Sequence, residues 1–137
     1  MIKAKKKYGQ NFLIDSTVTK NIVDLINPQD EDTILEIGPG LGSITFPILD
    51  KIKKIDVIEI DPDMVAFLNN SKYSKKINIH TNDILKIQDN FFENFNKIIG
   101  NLPYYISSEI LIKICNINKK NKKIYFMLQK EVAERIS

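Results

Sequence analysis

Thr33-Ile34-Leu35-Glu36-Ile37, followed at once by Gly38-Pro39-Gly40-Leu41-Gly42, decides the reading of this chain. A short apolar, β-branched run bounded by glycines reads as a buried strand. The glycines behind it let the backbone turn tightly and come close to a ligand, and a helix follows to about Lys53. Strand, glycine loop and helix in that order open a crossover unit, and further units lie on either side. Asp56-Val57-Ile58-Glu59-Ile60 is a second strand, and Asp61-Pro62 starts a second crossover helix with the proline near its first position. Ile77-Asn78-Ile79-His80, Lys97-Ile98-Ile99-Gly100 and Ile124-Tyr125-Phe126-Met127-Leu128 supply three more strands. Upstream, Ser16 caps a helix carrying Val18, Ile22, Val23 and Ile26, which Asn27-Pro28 ends. Strands alternating with helices imply a parallel sheet with right-handed crossovers. The fold class is α/β.

The bulk composition narrows the function classes. The chain has 137 residues, 43% hydrophobic and 27% charged, which describes one globular domain with its own core. No apolar run approaches the roughly 18 residues needed to cross a membrane. Cys115 is the single cysteine, so neither an internal disulfide nor a cysteine zinc cluster is available. It falls in a helical stretch and is expected to be a small buried side chain. His80 is also alone and reads as structural. The site is therefore expected to be neither metal-based nor a Ser/His/Asp triad. The net charge of +3 is mild and only permits a nucleic-acid partner. Lys3, Lys5, Lys6 and Lys7 form a basic arm, and Lys119, Lys120, Lys122 and Lys123 a basic loop. Either holds phosphates, or both are ordinary solvated lysines in a chain rich in Lys, Asn and Ile. The fifth strand is continuously apolar, as befits a strand buried on both faces and paired on both edges. Only nine residues follow Leu128, so the expectation is a sheet truncated after its fifth strand.

Chemistry concentrates in five places. Glu36-Ile37-Gly38-Pro39-Gly40-Leu41-Gly42 spaces its glycines G-x-G-x-G, and Ser43 stands where a dinucleotide fingerprint needs its third glycine. Glu59 lies 21 positions after Gly38, where a carboxylate takes both hydroxyls of a ribose. These two features signal a nucleoside cofactor without naming it. Asn82-Asp83 follows the third strand, either as a simple turn or as an acceptor for an adenine amino group. Gly9-Gln10-Asn11-Phe12-Leu13 is either a hydrophobic plug or a lid whose amides reach a cofactor. Asn101-Leu102-Pro103-Tyr104 ends the fourth strand. Asn101 offers a side-chain acceptor, Pro103 fixes the turn so that the Leu102 carbonyl is a second one, and Tyr104 offers a face for a base. Two acceptors beside an aromatic ring suit an exocyclic amino group such as N6 of adenine. The alternative is a strand ending in a proline turn.

In this order and variety, the motifs resemble one family, the ribosomal RNA small-subunit adenine dimethyltransferases of the KsgA type. The resemblance runs from about Lys6 to Ser137 and includes the late stretch Gln129-Lys130-Glu131-Val132-Ala133-Glu134-Arg135. It implies a Rossmann-like, S-adenosylmethionine (SAM)-dependent methyltransferase fold, with residues 1–137 as the SAM-binding catalytic domain. It implies Asn101, Leu102, Pro103 and Tyr104 as catalytic residues. Gln10, Asn11, Leu13, Gly38, Gly40, Glu59, Asp83 and Asn101 are implied as cofactor contacts, with no metal. The implied reaction is dimethylation of N6 on two adjacent adenosines near the 3′ end of small-subunit RNA. The implied setting is a pre-ribosomal particle in the cytoplasm, with a monomeric full-length enzyme and no membrane. Asn101-Leu102-Pro103-Tyr104-Tyr105-Ile106-Ser107-Ser108 leans toward this branch over the related large-subunit methylases. Glu109 departs from the family's usual proline, and the family's last strands and helical RNA-holding domain have no counterpart here. A non-catalytic RNA-binding factor on the same fold, acting in ribosome assembly or with transcription, is the competing expectation. An NAD-dependent oxidoreductase would have no use for the Asn101–Tyr104 tetrapeptide.

Overall fold

The computed structural model describes residues 16–102, 107–117 and 122–127. Five strands form one sheet: β1 (Ile34–Ile37), β2 (Ile55–Ile58), β3 (Ile77–His80), β4 (Lys97–Asn101) and β5 (Lys123–Met127). Their order is β3-β2-β1-β4-β5 and every pairing is parallel. Four α-helices accompany them: α1 (Ser16–Ile26), α2 (Thr45–Leu49), α3 (Pro62–Asn69) and α4 (Ser107–Cys115). The order reverses direction between β1 and β4, which makes the crevice at their carboxyl ends the place for a ligand.

The alternation of side chains along each strand builds two cores. Leu35, Ile37 and Ile98 face Ile84, Phe92, Ile110 and Ile114, so α4 and the 3-10 turns between β3 and β4 cover that side. Ile34, Val57 and Ile99 face Val23, Ile26, Ile48, Leu49 and Leu68 from α1, α2 and α3. All four residues of β1 are buried, which is why its apolar run is unbroken except at Glu36.

Local chemistry fixes the helix ends. Asn27 takes φ 48° after α1 and its N–H donates to the Val23 carbonyl at 2.9 Å, a left-handed stop of the kind asparagine tolerates. Pro62 opens α3 behind Asp61, whose carboxylate accepts from Asp63 N at 2.9 Å. Lys97 then ties the end of α1 to the sheet. Its buried Nζ donates to the Ile26 carbonyl at 2.9 Å, the Asn27 carbonyl at 3.1 Å and Asp32 Oδ2 at 2.6 Å. All three of its protons are therefore used.

Several sequence expectations change. Cys115 is exposed, not buried, because Ile114 and Ile117 hold the core side of that turn. Val18 is 48% exposed while Thr19 is buried, so α1 turns a different residue inward near its start. The second strand begins at Ile55 and ends at Ile58, leaving Glu59 and Ile60 beyond it. Helix α2 is shorter than expected. Past Leu49 the chain continues in turns held by Lys51 N to Ile48 O at 2.9 Å and Ile52 N to Ile48 O at 3.1 Å. Ile124, Tyr125, Phe126 and Met127 are only half-buried, since β5 is an edge strand among the described residues. Leu128 lies outside them.

Candidate functional site

The carboxyl ends of β1, β2 and β4 meet at one point. Gly38, Gly40 and Gly42 adopt φ of 68°, 57° and 79°, a left-handed course that glycine follows without strain. The loop is anchored from below: Gly38 N donates to the Ile58 carbonyl at 2.9 Å. A methyl built on Gly38 would stand 3.7 Å from the Asn101 carbonyl oxygen, so the glycine loop passes directly beside the start of the Asn101–Tyr104 tetrapeptide. Gly42 has a separate task. A methyl there would lie 2.6 Å from the Phe46 ring, so the absent side chain is what lets Phe46 fold back over the loop.

Glu59 lies just past β2 and is 5% exposed. Its Oε1 accepts from Gly40 N at 3.1 Å and its Oε2 from Asp61 N at 3.0 Å. One carboxylate thus sets the shape of the glycine loop and the entry to α3, and each oxygen keeps acceptor capacity for a ligand hydroxyl. Burial pushes its pKa up, against the backbone bonds that pull it down.

Glu36 is the functional residue that reading the sequence left without a role. It is 2% exposed on β1, and its carboxylate accepts from Thr45 Oγ1 at the start of α2. Burial carries its pKa up to about 7, with the Thr45 bond lowering it and the nearby Glu59 charge raising it. The available signal was an acid in the middle of Ile34-Leu35-Glu36-Ile37, a place where an apolar residue is otherwise expected. With Asp61, fully buried next to Glu59, three carboxyl groups lie beneath the crevice, Glu36 keeping its proton up to about pH 7. Such a floor favours a cationic or hydroxyl-rich ligand.

Asp83 caps the 3-10 turn Ile84–Lys86 by accepting from Leu85 N at 3.0 Å, and its own N–H is held by Asn82 Oδ1 at 2.8 Å. It therefore follows β3 as a turn residue, next to the strand whose His80 carbonyl takes the Glu59 N–H at 3.1 Å. Leu102 is buried and its N–H donates to the Met127 carbonyl at 3.1 Å, which fixes the first half of the tetrapeptide between β1 and β5. Pro103, Tyr104, Gln10, Asn11 and Leu13 lie outside the described residues. His80 Nε2 sits 2.9 Å from Asp56 Oδ2, on the sheet face that also carries Leu35 and Ile58. A cleft of about 560 Å³ opens between α1 and α2, lined by Thr19, Val23, Ser43 and Pro47 among others. Apart from Ser43 beside the loop, it includes none of the chemistry-bearing residues.

The family model described as "Ribosomal RNA adenine dimethylase" matches residues 1–137. The chain is similar to ribosomal RNA small subunit methyltransferase A of Neisseria meningitidis, with 42% identity over 134 residues, covering 98% of this chain and 52% of that protein. It is similar to the solved dimethyladenosine transferase from Plasmodium falciparum, with TM-score 0.76 and 28% identity over 92% of this chain and 46% of that one. An RNA methyltransferase from Salinibacter ruber, solved with S-adenosyl-L-homocysteine, shares the fold at TM-score 0.62 and 17% identity, covering 77% of this chain and 71% of that one. The chain spans about half the length of the curated relatives it matches.

Proposed function

Because the chain belongs to the ribosomal RNA adenine dimethylase family, we propose that it is the SAM-binding catalytic domain of an rRNA adenine-N6 dimethyltransferase. The observation that carries the reading is the convergence of the glycine loop, Glu59 and Asn101 at the switch point of the sheet. The residues fit SAM. The loop is bare of side chains at Gly38 and Gly40, Glu59 suits ribose hydroxyls, and a carboxylate floor suits a cation. When bound, SAM supplies an electrophilic methyl on a positively charged sulfur.

The chain's own residues then have positioning tasks. Gly38, Gly40 and Glu59 hold the nucleoside and methionine portions, with Asp83 toward the adenine and Gln10, Asn11 and Leu13 closing over it. Asn101 Oδ1 and the Leu102 carbonyl accept the two N6 hydrogens of the target adenine, so its nitrogen lone pair turns toward the methyl. Pro103 fixes that turn, and Tyr104 stacks on the base, which has left its neighbours to enter the pocket. No strong base is needed, because the amine sheds its proton readily once alkylated. Catalysis is placement and electrostatics. The substrate in this reading is a pair of adjacent adenosines near the 3′ end of small-subunit RNA in a pre-ribosomal particle, met in the cytoplasm by a monomeric full-length enzyme.

The test is methyl transfer from labelled SAM to unmethylated small subunits, with the product identified as N6,N6-dimethyladenosine. Asn101→Ala is expected to abolish transfer while SAM binding survives. Equal loss of transfer and binding would remove Asn101 from its role. A methylated product other than adenine N6 would overturn the reading.

A further inference from the structure

The two ends of the sheet differ in charge: acids dominate one, and lysines outnumber acids in the connections at the other. Glu59, Asp61, Asp63 and Asp83 gather at the carboxyl end. At the amino end, the connections entering β2 and β3 present Lys51, Lys53, Lys54, Lys72, Lys75 and Lys76, all exposed. These two connections are neighbours in space. β2 and β3 pair from Ile55 and Ile77 onward. Tyr73 OH donates to Asp50 Oδ1 at 2.7 Å, and Lys76 Nζ donates to the Leu49 carbonyl at 3.2 Å. The surface is also stiff, because the Tyr73 ring stacks on Phe46 with centroids 4.7 Å apart and planes 13° from parallel. Lys72 Nζ stands 5.2 Å from the Tyr73 centroid.

Little neutralises these lysines. Among the described residues, Lys51 alone of the six has a carboxylate within ion-pair distance, Asp24 at 3.6 Å. Asp50, Asp30 and Asp56 also lie at this end, hydrogen-bonded to Tyr73, to the Lys53 backbone N–H, and to Asn78 and His80, so the six lysines outnumber these acids without being fully balanced by them. Lys53, Lys54, Lys72 and Lys75 are left as exposed ammonium groups on a fixed platform.

We infer that this lysine surface is a second RNA contact, gripping phosphates at the end of the domain opposite the reacting base. The inference rests on the reading that the chain works on RNA. The acids around the crevice repel a polyanion, which a basic face at the other end of the sheet offsets. Four residues of β2 at about 3.3 Å each put roughly 13 Å of strand between the two ends. Contacts of this kind hold the nucleic acid without reading its sequence, and each releases condensed counterions.

The experiment measures binding of the full chain to a labelled RNA duplex of about 24 base pairs, by fluorescence anisotropy between about 50 and 200 mM salt. The variant combines Lys53→Ala, Lys54→Ala, Lys72→Ala and Lys75→Ala. A control combines Lys20→Ala, Lys86→Ala, Lys113→Ala and Lys123→Ala, which changes the net charge equally. The surface variant is expected to flatten the slope of log affinity against log salt by about 3, and the control by less than about 1. Equal slopes for variant and wild type, or an equal fall in the control, would overturn the inference. Competition by polyglutamate as strong as by RNA would overturn the assignment to RNA in favour of an acidic protein. SAM binding by the same samples separates the two readings. Intact SAM binding with an unchanged salt slope removes only the surface, whereas a flattened slope in a chain that binds no SAM removes only the enzyme.

Discussion

Replacing Glu36 by glutamine tests the buried floor of the crevice through its effect on stability. A carboxyl carried from its ordinary 4.5 to about 7 holds its proton about 3 kcal/mol more tightly in the folded chain than in the unfolded one. The sign follows from proton counts. Below pH 4.5 both states are protonated and the contribution is fully present. As pH rises toward 7 the unfolded chain releases its proton first, so folding stability is lost, and above 7 the loss is complete. Glu36→Gln keeps an acceptor for Thr45 Oγ1 but has no proton to lose. Urea unfolding of both proteins at about pH 5 and pH 8 should therefore give similar stabilities at the lower pH, with the variant ahead by about 2–3 kcal/mol at the higher one. Glu59, raised in the same direction by burial, leaves part of the pH dependence in the variant. A difference that stays below about 1 kcal/mol at both pH values would mean that Glu36 ionises normally when folded, and the account of the floor would fail.

Other parts of the structure are open to equally direct tests. Gly42→Ala places a methyl 2.6 Å from the Phe46 ring at φ 79°, and both strain and overlap should cost about 2–4 kcal/mol in urea unfolding. A loss under about 1 kcal/mol would show that Phe46 moves aside freely. Lys97→Met leaves Asp32 and two backbone carbonyls without their buried ammonium partner, and the expected loss is about 3–5 kcal/mol. An Asp32→Asn/Lys97→Met double variant that is no more stable than Lys97→Met would contradict the ion-pair account.

Much of the fold was legible because the strands are short apolar runs separated by glycine, proline and capping residues. Pro62 behind Asp61 opened α3 as read, and Asn27-Pro28 ended α1. The boundaries that moved did so for tertiary reasons. β2 ends at Ile58, and just past it Glu59 keeps one backbone bond to the His80 carbonyl while its carboxylate takes the Gly40 and Asp61 N–H groups. Cys115 is exposed because a helix has only one inward stripe, and Ile114 already occupies it. At the site, Gly38, Gly40, Glu59 and Asn101 were marked by residue type at strand ends. Glu36 was not, since an acid inside a strand shows its role only when its burial and the Thr45 hydroxyl are seen together. The lysines at the amino end were equally hidden. They sit in two turns more than a dozen residues apart, and only the parallel pairing of β2 with β3 brings them side by side.

The central claim is that the crevice between β1, β2 and β4 is a SAM site. Calorimetric titration of SAM into the 137-residue chain, with NAD as the parallel ligand and Glu59→Gln as the variant, tests it most directly. The account predicts saturable SAM binding, no NAD binding, and at least about tenfold weaker SAM binding in Glu59→Gln, from the loss of hydrogen bonds to a charged acceptor. A folded chain that binds NAD, or that binds SAM equally well without the Glu59 carboxylate, would contradict it.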